Sequence, residues 1–275
     1  MNKVVDAAQD AFNHWRKTPL RDRIQILEKF VTILEQNKDE IAKELASMIK
    51  RPLKQNYNEV RGFEERARYM ISLAEEALKD VQVSEKKGFM RKISKEPVGV
   101  VFIIGAWNYP YLTTVNSLIP ALLAGNCVIM KHAPQTFNCA DQYAKALKLA
   151  GLPDGIFTAV RIDHNQASEI IKDKRIKHVQ FTGSERGGKE ISALLASHNF
   201  TASLGLELGG NDAAFVRSDA DLDFAVENIV DGAFYNSGQS CCGIQRVYVD
   251  SSLYKDFVKK AIEETIVIIL PLLNL

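Results

Sequence analysis

The stretch that most constrains the fold is Val98 to Ile104, VGVVFII, an apolar run with no polar residue in it. A strand with one face in water alternates polar and apolar side chains. A continuous run rich in branched residues is instead buried on both faces, as in a parallel sheet covered by helices. The following sequence agrees. Segments 126–130, 156–160, 178–181 and 203–208 are predicted strands, and 117–124, 139–150 and 186–195 are predicted helices between them. Strands at this spacing with intervening helices specify right-handed βαβ units and a mostly parallel sheet.

The first eighty residues are predicted to be helical. Ile24, Ile26, Leu27, Phe30, Val31, Ile33 and Leu34 recur at roughly helical spacing among charges, and Pro52 interrupts the pattern before a further helix over 58–78. Near the other end, a helix over 219–231 is predicted with Ser218 or Asp219 as its N-cap. A strand over 246–249 and a helix from Ser251 or Ser252 to about Glu264 follow. The Gly209-Gly210 pair is a candidate boundary between the βαβ units and this last part.

Composition excludes several classes. With 46% hydrophobic and 25% charged residues the chain can bury a sizeable core. Its 35 basic and 34 acidic residues leave a formal charge of +1, which offers no electrostatic reason for nucleic acid or an anionic membrane as partner. Four cysteines are too few for a disulfide framework, and no C-x-x-C pair or histidine cluster predicts a metal site. The N-terminus lacks a basic patch followed by an apolar segment and carries Asp6 and Asp10, so a reducing cytoplasm is the expected location. The last ten residues, IVIILPLLNL, are too short to span a bilayer, which needs ~20. They fit a buried strand, a sticky tail or a reading-frame accident.

Five positions could carry chemistry. Cys241, in YNSGQSCCGIQR, lies among polar and glycine residues, where a thiol of lowered pKa can attack a carbon centre; it can also be an incidental small residue. Its neighbour Cys242 is expected to pack. Glu207 closes an apolar strand in LGLELGGN, where a carboxylate is either desolvated into the general-base range or solvated by a cleft; a structural ion pair is the plainer reading. Thr182-Gly183-Ser184 joins a strand to a helix start that could hold phosphate, although G-x-G-x-x-G is absent and a plain turn also fits. Asn108 ends the buried strand, where its amide can donate to a developing oxyanion or make an Asx-turn before Pro110. Lys131 ends the next strand, a ligand position in open α/β sheets, or else a solvated charge.

In this order, PVGVVFIIGAWNYP, ALLAGNCVIMKHAPQT, GLPDGIFTAV, HVQFTGSERGGKEI, LELGGNDAAFV, SDADLDFAV and NSGQSCCGIQR resemble the aldehyde dehydrogenase superfamily, from about residue 5 to about residue 264. The 34-residue separation of Glu207 and Cys241 matches the family's base and nucleophile. KHAPQT is similar to a bacterial branch of NAD(P)-dependent succinate-semialdehyde dehydrogenases. The resemblance implies an α/β fold: a Rossmann-type nucleotide-binding domain (1–78 and 98–208), a β-hairpin oligomerisation insertion (79–97) and the beginning of an α/β catalytic domain (209–275). It implies Cys241 as nucleophile, Asn108 and the Cys241 backbone N–H as oxyanion hole, and Glu207 as the base that activates water on a thioester. Trp107, Lys131, Pro134, Gly183, Ser184 and Gly188 would line the cofactor site, and a small-molecule aldehyde would be the substrate.

Three departures shape the expectation. Pro134 stands where NAD-preferring relatives commonly carry an acid, so either cofactor is expected, with NADP favoured. Asn116 and Tyr235 stand where some succinate-semialdehyde enzymes place arginines. The chain is little more than half a member's length, without the Glu-x-Phe-Gly-Pro stretch, and residues 266–275 resemble no family continuation. A frameshift or split gene is therefore expected, with doubtful homo-oligomers and a separately encoded C-terminal half as a further partner. The alternative is an inactive fragment that retains at most nucleotide binding.

Overall fold

The computed structural model describes residues 1–273, with side chains through residue 267. Four helices open the chain: α1 (Asn2–Trp15), α2 (Leu20–Gln36), α3 (Lys38–Ile49) and α4 (Leu53–Leu78). The stretch predicted as continuous helix before Pro52 breaks at Asn37, whose N–H folds back onto the carbonyls of Ile33 and Leu34. Pro52 itself caps α4, which starts five residues before the predicted helix because proline fits the position just outside a first turn. Residues 79–97 hold two short antiparallel strands, β1 (Val81–Gln82) and β2 (Lys92–Ile93), with Val81 opposite Ile93.

The central sheet follows in alternation: β3 (Val100–Gly105), α5 (Pro110–Leu123), β4 (Cys127–His132), α6 (Phe137–Leu149), β5 (Phe157–Ala159), α7 (His164–Lys172), β6 (Ile176–Thr182), α8 (Glu185–His198) and β7 (Ser203–Glu207). Its order is β5-β4-β3-β6-β7 and every pairing is parallel. All six residues of β3 are buried, as the unbroken apolar run requires. Because β4 and β6 lie on opposite sides of β3, the connections leaving β3 and β6 diverge and open a crevice at the strands' carboxyl ends. Pattern alone missed the helix α7 and the strand Asp212–Val216, and it set the start of α5 too late. The helix α7 begins with a capping box between Asp163 and Gln166, and α5 begins seven residues before the predicted start, with Pro110 in its first turn.

Helices α2, α4, α5 and α6 meet through aromatic rings. Phe63 lies 6.1 Å from Phe30 and 6.2 Å from Tyr111, and Tyr111 stands edge-on to Tyr143 at 5.1 Å, distances at which aromatic pairs attract. A second, smaller core is built by β8 (Asp212–Val216), α9 (Leu222–Phe234), β9 (Ile244–Val249) and α10 (Tyr254–Leu273), around Val216, Val226, Val230 and Phe257. The cap of α9 is Asp221, in place of the predicted Ser218 or Asp219; its carboxylate accepts from the N–H groups of Asp223 and Phe224. The last helix runs past Glu264 to Leu273, so residues 266–273 continue α10; the end of the apolar tail, 274–275, lies outside the described residues. Among the described residues no helix is long and apolar enough to cross a membrane.

The packing makes a graded prediction. Ile103→Ala, in the middle of β3, is expected to lower stability by about 2–5 kcal/mol, read as a lower urea midpoint at unchanged slope. Met90→Ala, in the exposed β1–β2 connection, is expected to stay within about 0.5 kcal/mol of the parent chain.

Candidate functional site

The crevice holds most of the residues singled out from the sequence. A cavity of about 680 Å³ is lined by Trp107 and Asn108 after β3, Lys131 and Pro134 at the end of β4, Gly183 and Ser184 after β6, and Cys241. An adjoining cavity of about 630 Å³ is lined by Tyr109, Thr113, Asn116, Tyr235, Glu207, Cys241 and Cys242. Cys241 thus stands at the junction of the two, and Glu207 shares the second with it. Of the predicted set only Gly188 is elsewhere. It is buried inside α8, and a Cβ there would come within 2.9 Å of the Leu208 side chain, so its smallness serves helix packing.

Each position is fixed by local chemistry. Glu207 is the last residue of β7, and its carbonyl accepts the Gly183 N–H at 2.9 Å, which ties the β6 and β7 ends together. Its carboxylate is exposed, so of the two environments expected for it the cleft-solvated one is found. Ser184 caps α8 by accepting from Gly187 N–H at 3.2 Å. Lys131 is buried; its ammonium donates to the His132 carbonyl at 3.3 Å and lies 5.6 Å from the Phe137 ring centre. Burial pushes its pKa down, with Asp163 opposing the shift.

Cys241 follows an unusual turn. Asn236, Ser237 and Gly238 all have left-handed backbones, with φ of 57°, 58° and 71°. Only glycine adopts this without strain, and asparagine tolerates it better than most residues. A Cβ on Gly210 would lie 2.1 Å from the Cys241 carbonyl oxygen, so the β7–β8 connection reaches the loop only because that residue is glycine. Asn108 Nδ2 donates to the Gln239 carbonyl at 3.0 Å, which leaves one of its two amide N–H groups for another acceptor.

The electrostatics differ from expectation at two points. The walls of the cleft push the Cys241 thiol up from its ordinary value, with Cys242 adding to the shift, so the thiol is not pre-ionised by its surroundings. Cys242 does not pack in the core: it is exposed, lines the same cavity, and its Sγ lies 3.3 Å from Ser240 Oγ. Sequence reasoning also passed over Tyr109, whose hydroxyl burial pushes up to about 12, keeping it a proton donor at the junction. It missed Arg51, Glu59, Asn236 and Gln239 as well, which join the loop to the end of α3 and, through Arg51 in the α3–α4 connection, to α4. The only signal for them was their polarity within otherwise packed segments. Among the described residues no three His, Cys, Asp or Glu side chains are grouped to hold a metal.

Residues 1–269 match the profile described as the aldehyde dehydrogenase family. A probable succinate-semialdehyde dehydrogenase (NADP+) of Synechocystis sp. is 34% identical over 260 residues, covering 94% of this chain and 57% of that protein. The dimeric NADP-preferring aldehyde dehydrogenase of Mus musculus is 31% identical over 264 residues, covering 94% of this chain and 57% of that one. Among solved structures, succinic semialdehyde dehydrogenase from Streptococcus pyogenes in complex with NADP+ superposes with a TM-score of 0.89 at 28% identity, covering 96% of this chain and 57% of that one. The chain therefore spans a little over half the length of the proteins it matches.

The raised thiol gives a signed prediction. Iodoacetamide is expected to alkylate Cys241 slowly at neutral pH, with a half-maximal rate at a higher pH than for an unhindered cysteine peptide in the same buffer. A midpoint at or below that of the peptide contradicts it. Gly210→Ala is expected to displace the loop and change the alkylation rate, measured by mass spectrometry of the Cys241 peptide.

Proposed function

The chain belongs to the aldehyde dehydrogenase family, and on that premise we propose that its cleft serves oxidation of an aldehyde to a carboxylic acid by a nicotinamide dinucleotide, with NADP favoured over NAD. The observation that carries this reading is that Cys241 and Glu207 share one cavity, while Cys241 also lines the cleft that holds Lys131 and Ser184.

The residues fit such a cofactor. Lys131 is a buried ammonium bonded to a single carbonyl among the described residues, so it keeps N–H groups for ribose hydroxyls. The α8 N-terminus offers free backbone N–H groups to a diphosphate beside Gly183, which has no side chain to obstruct approach. Pro134 brings no carboxylate to the cleft wall, so a 2′-phosphate is not repelled there. The names of the relatives support NADP as well. When bound, the dinucleotide supplies the hydride acceptor.

The chain's own groups do the rest. The Cys241 thiol is protonated at neutral pH, so attack on the carbonyl carbon needs a base, and Glu207 is the carboxylate in the same cavity. Addition makes a tetrahedral thiohemiacetal whose oxygen carries the charge. The free Asn108 amide N–H and the Cys241 backbone N–H stabilise that oxygen. Once oxidised, the acyl group is held as a thioester on Cys241. Glu207, exposed at the cleft, releases the thiol proton to solvent, then takes a proton from the water that hydrolyses the thioester, and the thiolate leaves. Succinate semialdehyde heads the candidate substrates, because the Synechocystis and Streptococcus relatives are named for it.

One observation favours a second reading. Cys241 and Glu207 are both exposed, and water competes for every group an oxyanion hole uses. On this reading the chain alone binds nucleotide without turning over aldehyde.

The two readings separate in one set of assays. With NADP and succinate semialdehyde, the first expects growth of the reduced-cofactor absorbance, abolished in Cys241→Ala and slowed about 10²–10³-fold in Asn108→Ala. Glu207→Gln is expected to slow the first equivalent of reduced cofactor as well as the later turnovers, because it removes the base for attack and the base for hydrolysis alike. Saturable NADP binding with no turnover supports the second reading, and absence of both sinks the pair.

A further inference from the structure

The loop that carries Cys241 is gripped from far away in the sequence. The Arg51 side chain is fully buried and forms an ion pair with Glu59, whose side chain is equally buried. Its Nε donates to Asn56 Oδ1, and its Nη1 donates to Asn236 Oδ1 at 2.9 Å. Its guanidinium lies 5.5 Å from the Tyr109 ring centre. Asn236 Nδ2 in turn donates to the Gln239 carbonyl at 2.8 Å and to the Asn108 carbonyl at 3.0 Å. The Gln239 carbonyl also accepts from Asn108 Nδ2. One peptide two residues before Cys241 is thereby held by both asparagines.

Building on the proposed function, we propose that Arg51 is a positioning residue that sets the register of Cys241 against Asn108, acting through the Asn236 amide. The argument is one of donors and acceptors. Arginine only donates, so its bond to Asn236 Oδ1 forces the NH₂ end of that amide toward the two carbonyls. With the amide reversed, N–H would face the guanidinium and oxygen would face oxygen. Arg51 thus chooses the rotamer that lets Asn236 bridge the loop to the β3 end. The left-handed backbone of Asn236 and Ser237 depends on the same bridge, because strained conformations persist only where surrounding bonds over-determine them.

The second half of the ion pair grips the other side. Glu59 Oε1 accepts from the N–H groups of Tyr111 and Leu112 at 2.8 and 3.3 Å, in the first turn of α5 and just after Asn108. Glu59 therefore fixes the Asn108 segment while Arg51 fixes the Cys241 segment. Three acceptors on three side chains, Glu59, Asn56 and Asn236, are served by one planar group. A lysine ammonium has no such fork.

The test uses the intact chain and needs no turnover. Arg51→Lys keeps a cation beside Glu59 but loses the fork. Hydrogen exchange in 235–242 is expected to be about tenfold faster, with 100–105 and 127–132 still protected. The midpoint of Cys241 alkylation is expected to fall toward that of an unhindered cysteine as water enters. Asn236→Asp leaves the Arg51–Glu59 pair intact and removes the two donated bonds, so it is expected to have the same effect, and it decides the matter should Arg51→Lys not fold. Parental exchange and alkylation in the folded variants overturn the proposal, and so does loss of protection spread evenly over β3, β4 and the loop. Failure of the aldehyde assay with these changes still present counts against the proposed reaction and leaves the positioning role standing.

Discussion

Parallel strands cannot be joined by a tight turn, and from that constraint the rest of the molecule follows. Each crossover must carry a helix across a face of the sheet, so every strand finishes at the same edge. β3 pairs along its whole length with β4 and over most of it with β6, and sits in the middle. Asn108, Lys131, Ser184 and Glu207 lie at the ends of four different strands, β3, β4, β6 and β7, which are neighbours in the sheet. A side chain placed just after any of these strands arrives at the crevice without further design. Cys241 is the exception: it comes from the smaller second core and has to be brought in by a strained turn and by bonds to α4.

This division explains what the sequence made legible. The apolar run at β3, the alternation after it, and four of the five candidate positions are local patterns tied to strand ends, so pattern reading brings them to the crevice. Cys241 was located by its polar, glycine-rich surroundings. What could not be read is interaction across distance. No period links Arg51 to Asn236, or Glu59 to the first amides of α5. Helix starts suffered similarly: α5 is opened by Pro110 together with a carboxylate on another helix, so the local sequence shows only half of its cap. Gly188 was placed by likeness on the cleft, whereas its neighbour Leu208 makes it a packing glycine.

The two titratable groups that matter most in the cleft are shifted in opposite directions by one cause. Withdrawing water disfavours the charged form, so it raises the Cys241 thiol and lowers Lys131. Both shifts oppose the charge that the proposed reaction and the proposed nucleotide binding need. In the proposed reaction an anion arriving beside Lys131 raises its pKa again, and a base acting at Cys241 supplies the thiolate.

The pairing of β8 with β9 has a consequence at its margins. It is a two-stranded parallel ribbon, joined by α9 and covered on one side by the small core around Val216 and Phe257. Its other side shows Phe215 and Tyr248 to solvent, and neither outer margin is hydrogen-bonded to another strand among the described residues. Ribbons of this kind recruit foreign backbone readily, and aromatic groups on the bare face add adhesion. Either margin can therefore accept one more strand, from another segment or another molecule, and the bare aromatic face marks where its side chains would settle.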